Sequence, residues 1–134
     1  MVNEWVKVEA YGANNDGRPR RYTIADGASV SKGQLLGLSD PRTAFAATDT
    51  TTVYAGVASE DHPAGQSITS VSAWTDGIFE AVASMAILVP GAPITGGTTN
   101  QIMPATPNAS GAQVLGYALE IGTLGESINV RLDL

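Results

Sequence analysis

This chain is written twice, and a duplicated sequence limits the folds open to it more than any single motif does. Gly65-Gln-Ser-Ile68 returns as Gly125-Glu-Ser-Ile128, each nine residues after an isolated glycine, Gly56 and Gly116. Upstream, Gly27-Ala-Ser-Val-Ser-Lys-Gly33 has a counterpart in Gly91-Ala-Pro-Ile-Thr-Gly-Gly97. The later pair is offset by 60 residues and the earlier by 64, so the second copy reads as four residues shorter in its middle. Two similar units in one small chain predict a pseudo-symmetric fold. Such duplications serve surfaces more naturally than a single deep active site.

The units read as β. Small residues and threonine dominate and large aromatics are few, which suits short strands with many turns rather than long amphipathic helices. In residues 1–12, Val6, Val8 and Ala10 alternate with Trp5, Lys7, Glu9 and Tyr11, and Asn14-Asn15-Asp16-Gly17 follows as a turn. That segment belongs to neither copy. It is either paired within its own sheet or offered to a neighbour. Extended runs follow at Tyr22–Ile24, Gln34–Leu38, Thr50–Ala58 and Ile68–Trp74, with Gly56 read as a bulge or a close backbone approach. Residues 78–89 fit both a helical stripe and one face of a strand. Extended structure is favoured, because Pro90-Gly91 cuts the segment off where a connection belongs. In the closing strand Ile128, Val130, Leu132 and Leu134 alternate with Ser127, Asn129, Arg131 and Asp133, a half-buried antiparallel pattern.

The fold expected is all-β: a small pseudo-symmetric barrel or barrel-like sandwich of two similar units, at most one short helix, and an extended N-terminal arm. The arm and its turn take residues 1–21. A single β domain takes 22–134, with units at about 22–74 and 90–134 joined by 75–89. A domain of 134 residues buries roughly two-thirds of its unfolded surface and can be stable without metal or disulfides.

Composition removes several classes of function. With no cysteine there are no disulfides, thiolate zinc sites or cysteine nucleophiles. Seven basic against thirteen acidic residues make free nucleic acid a poor partner. The longest apolar run, Ala81–Val89, is too short to span a membrane, and no basic, apolar leader is present, so synthesis in a cytoplasm is expected. No catalytic set emerges. His62, the single histidine, is read as a solvated loop residue, without the nucleophile elbow or oriented acid that a triad requires. Asn14, Asn15 and Asp16 lack the later glutamate of a calcium loop, and Gly96-Gly97 lacks the lysine of a phosphate loop. Neither cofactor nor metal is expected. Trp74 reads as core, Trp5 as an interface residue.

One likeness concerns Val30-Ser-Lys-Gly-Gln-Leu-Leu36, which is similar to the hairpin of biotinyl and lipoyl carrier domains. Their modified lysine sits between hydrophobic neighbours, typically methionines. Here neither Met85 nor Met103 adjoins Lys7 or Lys32, so carrier activity has no support, while a related β topology stays open.

A wider resemblance covers residues 22 to 134. Gly27-Ala-Ser-Val-Ser-Lys-Gly-Gln-Leu-Leu36 leads into Leu38-Ser-Asp-Pro-Arg-Thr-Ala44. Then come Tyr54-Ala-Gly-Val-Ala58, Asp76-Gly-Ile-Phe-Glu80, Gly116-Tyr-Ala-Leu-Glu120 and the run from Gly125 to Leu134. In order and spacing the chain resembles the capsid decoration, or cement, proteins of tailed bacteriophages. The resemblance implies a non-enzymatic virion protein, made in the host cytoplasm, that binds the capsid exterior and bridges major capsid proteins. It also implies a homo-oligomer, with a trimer favoured, and no direct contact with nucleic acid or membrane. Under that reading the arm, Val2 to Tyr11, adds a strand to a capsid protein edge, with Trp5, Val6 and Val8 filling pockets. Arg18, Arg20 and Arg21 pair with acidic capsid residues. Other expectations are a tail or head-fibre component, or a carrier or ligand-binding β domain.

Overall fold

The computed structural model describes residues 3–9, 19–48, 53–87, 89–97, 100–105 and 113–134. Strands β2 (Arg20–Thr23), β3 (Leu35–Asp40), β4 (Thr43–Ala46), β5 (Tyr54–Ala58) and β6 (Ser70–Trp74) form a closed barrel in the order β2-β4-β3-β5-β6. Closure comes from a parallel contact between β2 and β4 at Thr23 and Thr43, while the other pairings are antiparallel. The second sheet contains β1 (Val6–Glu9), β7 (Asp76–Val82), β8 (Pro93–Gly96), β9 (Ile102–Pro104), β10 (Gly116–Ala118) and β11 (Ser127–Asp133). Its order is β1-β7-β11-β10-β8-β9.

Leaving β1 aside, the second sheet repeats the barrel strand for strand: β7, β8, β9, β10 and β11 stand where β2 to β6 stand. A parallel bridge between Ala83 and Ile102 joins its two ends, as the β2–β4 contact does in the first unit. The backbone hydrogen bonds fix the correspondence. Gly33 N–H donates to Ala58 and Ala58 N–H to Gln34; Gly91 N–H donates to Ala118 and Ala118 N–H to Ala92. Val30 and His62 exchange two bonds, and so do Ile87 and Gly122.

Gly33 therefore corresponds to Gly91, 58 residues on, rather than Gly27 to Gly91 as the motif comparison gave. Both glycines hold the left-handed conformation, at φ 84° and 86°, which explains why glycine recurs there. Gly56 and Gly116 also keep one role in both copies. A Cβ on either would run into the carbonyl of the facing strand, that of Trp74 or of Arg131. The similar Gly-x-Ser-Ile runs diverge after their glycine: Ile68 is exposed and precedes β6, whereas Ile128 is buried within β11.

Residues 75–89, expected as a connection, carry β7. It pairs with β11 along its whole length, from Val82 opposite Ser127 to Asp76 opposite Asp133. Extended structure wins over helix here because Phe79, Ala81 and Ala83 all face the second core at a period of two.

Two cores result. Inside the barrel lie Ile24, Val30, Leu36 and Val71 with several alanines, whose small volume suits the narrow interior of a five-stranded barrel. The larger core is that of the second unit, built on Phe79, Ile94, Ile102, Leu115 and Leu132. Leu35, Tyr54 and Val57 join it from the barrel's outer face, so alternation along β3 sends Leu36 to one core and Leu35 to the other. The two units thus share buried surface.

Candidate functional site

The arm is built into this body. Its strand β1 pairs antiparallel with β7, Val6 opposite Glu80 and Lys7 opposite Phe79. Trp5, expected as a partner-facing anchor, is only 2% exposed. Its ring meets Phe79 edge-on at 6.1 Å and its Nε1–H donates to the Asn100 carbonyl at 3.1 Å. Its apolar area is better satisfied in the protein's own core than on a partner, so that expectation is corrected.

Asn100 is the clasp. Its Oδ1 accepts the Leu35 N–H at 2.6 Å, and its Nδ2 donates to the carbonyls of Asn3 and Gly33 at 2.9 and 3.0 Å. One side chain thereby ties the arm, the barrel and the second sheet together. Lys7 adds to the seam, with its Nζ 3.4 Å from the centre of the Trp74 ring.

Of the other expected interface residues, Val2, Tyr11 and Arg18 lie outside the described residues. Val6 and Val8 are 50% and 54% exposed. They face away from Trp5 on the outermost strand of the sheet, whose free edge meets no other described strand. Arg20 and Arg21 are exposed on β2.

The parallel β2–β4 contact brings the Pro41-Arg42 turn beside these two arginines. Arg20, Arg21, Tyr22, Pro41 and Arg42 line an open cleft of about 360 Å³. Arg21 Nη1 donates to Ser70 Oγ at 2.9 Å, and Arg42 Nη2 reaches the Arg21 carbonyl at 3.4 Å. Asp40 Oδ1 accepts the Arg42 N–H at 3.1 Å. That bond, with help from Thr43, holds the Asp40 carboxyl below the usual carboxylate range. Guanidinium forks bind carboxylates in two-pronged fashion, so the cleft is a basic notch on a protein of net charge −6. Sequence reasoning missed Arg42, because only a parallel pairing distant in sequence places it there.

His62 is not solvated. It is buried, with Nδ1 2.7 Å from the Ala28 carbonyl and Nε2 2.7 Å from the Ile68 carbonyl. Each ring nitrogen faces a backbone carbonyl inside the protein, so the imidazole points into the fold rather than toward a substrate. The ring braces residues 66–69, a stretch three residues longer than its counterpart in the second unit. There Gly122 replaces His62, and the Ile128 side chain occupies the space. Among the described residues, no three His, Asp or Glu side chains gather as a metal site would require.

The family model described as phage cement protein matches residues 15–132. This chain belongs to the phage cement protein family. It is accordingly a structural protein of the phage virion. Among solved structures, the N base of head fiber gp8.5 in bacteriophage phi29 shares the fold, with a TM-score of 0.55 and 21% identity over 86% of this chain and 92% of that one. No curated protein matches this cement-family chain.

Proposed function

We propose that this protein binds the outer face of the phage shell and stabilises it by bridging neighbouring major capsid proteins. The observation that carries this reading is the cement-family match over almost the whole chain. The surface chemistry supports it. The arginine cleft is suited to an acidic segment of a capsid protein, and the open edge of β1, with Val6 and Val8 beside it, is suited to strand addition. A single exposed charge pair contributes about 0–1 kcal/mol. A trimer engaging three shell sites gains far more than one subunit, by roughly 10²- to 10⁴-fold in avidity.

The test uses shells of the phage assembled without this protein, incubated with the pure chain and sedimented. Reversing the notch with Arg21→Glu and Arg42→Glu is expected to weaken co-sedimentation at least tenfold, with the effect fading as salt rises. Decorated shells are expected to withstand heat and low salt better than bare ones. A chain that bound but left shell stability unchanged would sink the cement role.

The likeness to a head-fiber base favours a second reading, in which the same body anchors a longer appendage. Cryo-electron microscopy separates the two: compact density over the shell lattice for the first, the foot of a projecting fibre for the second.

A further inference from the structure

The two units serve as controls for each other, and at one place they differ in chemistry while keeping the same backbone. In the second unit, residues 83–87 and 89–91 run beside 118–125. They are tied by Gly91 N–H to the Ala118 carbonyl, by both Ile87–Gly122 bonds, and by Gly125 N–H to the Ala83 carbonyl. The barrel has the same ties between 26–33 and 58–65. Glu60 and Glu120 even make the same contact, accepting the N–H of Ser72 and of Asn129.

On that shared frame the exposed side chains change class. Where the barrel carries Ser31, Ser59, Asp61 and Ala64, the second unit carries exposed Val89, Leu119, Ile121 and Leu124, and Met85, between the Ala83 and Ile87 ties, is exposed too. Asp61 accepts the Lys32 N–H at 2.7 Å; opposite Ile121 stands Pro90, which has no N–H to offer. The polar pair has been exchanged for an apolar one as a set. Ile121 and Leu124 are 58% and 74% exposed. Beside Ile121 a concavity of about 200 Å³, lined by Ile87, Gly122, Thr123 and Glu126, has room for one large side chain. Several exposed apolar side chains on two paired segments, at positions the fold tolerates as polar, mark an interaction site.

We infer that the Ile121–Leu124 end of the second unit is a second shell-binding surface, which docks an apolar protein patch bordered by lysine or arginine. This rests on the shell-binding function proposed above and names the face that complements the arginine cleft. The rim decides the occupant: the charged residues of this tip are Glu120 and Glu126, both exposed. A second copy docked patch to patch would bring four carboxylates together, whereas a basic-bordered capsid surface neutralises them. A bridging protein needs two gripping faces. The basic cleft on the barrel and the acid-rimmed apolar tip on its twin would select different capsid surfaces.

The test exploits the internal control. Ile121→Asp with Leu124→Ala installs the residues that the barrel carries at the same positions, and Leu124→Glu alone is a milder variant at the most exposed site. Bare shells are the probe, titrated with labelled protein, and size-exclusion chromatography is run in parallel. Both variants should elute as the parent does and lose shell affinity about tenfold or more. Shell affinity equal to the parent's for both variants overturns the inference and leaves the shell-binding function standing. A parent chain that does not bind shells overturns both. Concentration-dependent self-association of the parent, abolished in the variants, would assign the patch to a second copy and refute the inference as stated.

Discussion

Replacing Asn100 with alanine removes three hydrogen bonds at once: the Leu35 N–H loses its acceptor, and the Asn3 and Gly33 carbonyls lose a donor. Each net loss is about 1 kcal/mol, and more where the abandoned group stays buried. Asn100 also sits at φ 63°, a left-handed conformation that costs alanine about 1 kcal/mol. The sum is about 4 kcal/mol, a large part of the 5–15 kcal/mol typical of a domain. With a urea m-value of about 2 kcal/mol per molar, the midpoint should fall by about 2 M. Tryptophan emission is the natural probe, since the buried Trp5 indole donates to the Asn100 carbonyl. Asn100→Gly should be the milder variant by about 1 kcal/mol, because glycine accepts the conformation. Asn100→Asp should be no better than alanine, because an oxygen would face the Asn3 and Gly33 carbonyls. A midpoint for Asn100→Ala within 0.5 M of the parent, on the order of a quarter of the shift expected, would refute the clasp.

Three further outcomes follow from the geometry. His62→Ala removes the ring that lies between the Ala28 and Ile68 carbonyls and leaves a void, so thermal unfolding should show a loss of about 3 kcal/mol, with shell binding intact below the transition. Gly116→Ala sets a methyl against the Arg131 carbonyl and should destabilise by about 2 kcal/mol in urea, whereas the same change at exposed Gly27, with open space around it, should be far milder. Burial raises the Tyr54 phenol above its ordinary value of 10.0. The stability tied to the neutral phenol is therefore full below pH 10 and lost as pH climbs through the raised value. Tyr54→Phe should flatten that alkaline decline in a pH-dependent melting series.

The strand pattern of β11 was readable because its faces alternate without exception between wet and dry. The repeat was readable too, but its offset was misjudged upstream. The copies preserve hydrogen bonds rather than residue types, so Gln34 and Ala92 or Asp61 and Ile121 do not look alike. Trp5 looked available because no local pattern shows that an arm folds back on a residue 95 positions away. Arg42 escaped notice for the same reason, being joined to Arg20 and Arg21 by barrel closure rather than by sequence. The apolar tip became visible only once the barrel supplied a structural equivalent for each position.

The seat of Trp5 has a consequence for how the molecule is made. Translation delivers this tryptophan well before Phe79 and Asn100, which meet its ring in the finished protein. The barrel strands are all present by Trp74, so that half can close while the ribosome is still at work. The indole has to wait, uncovered, until the second unit supplies Phe79 and Asn100. A nascent chain stalled before Phe79 should therefore offer chaperones an indole that the finished protein hides.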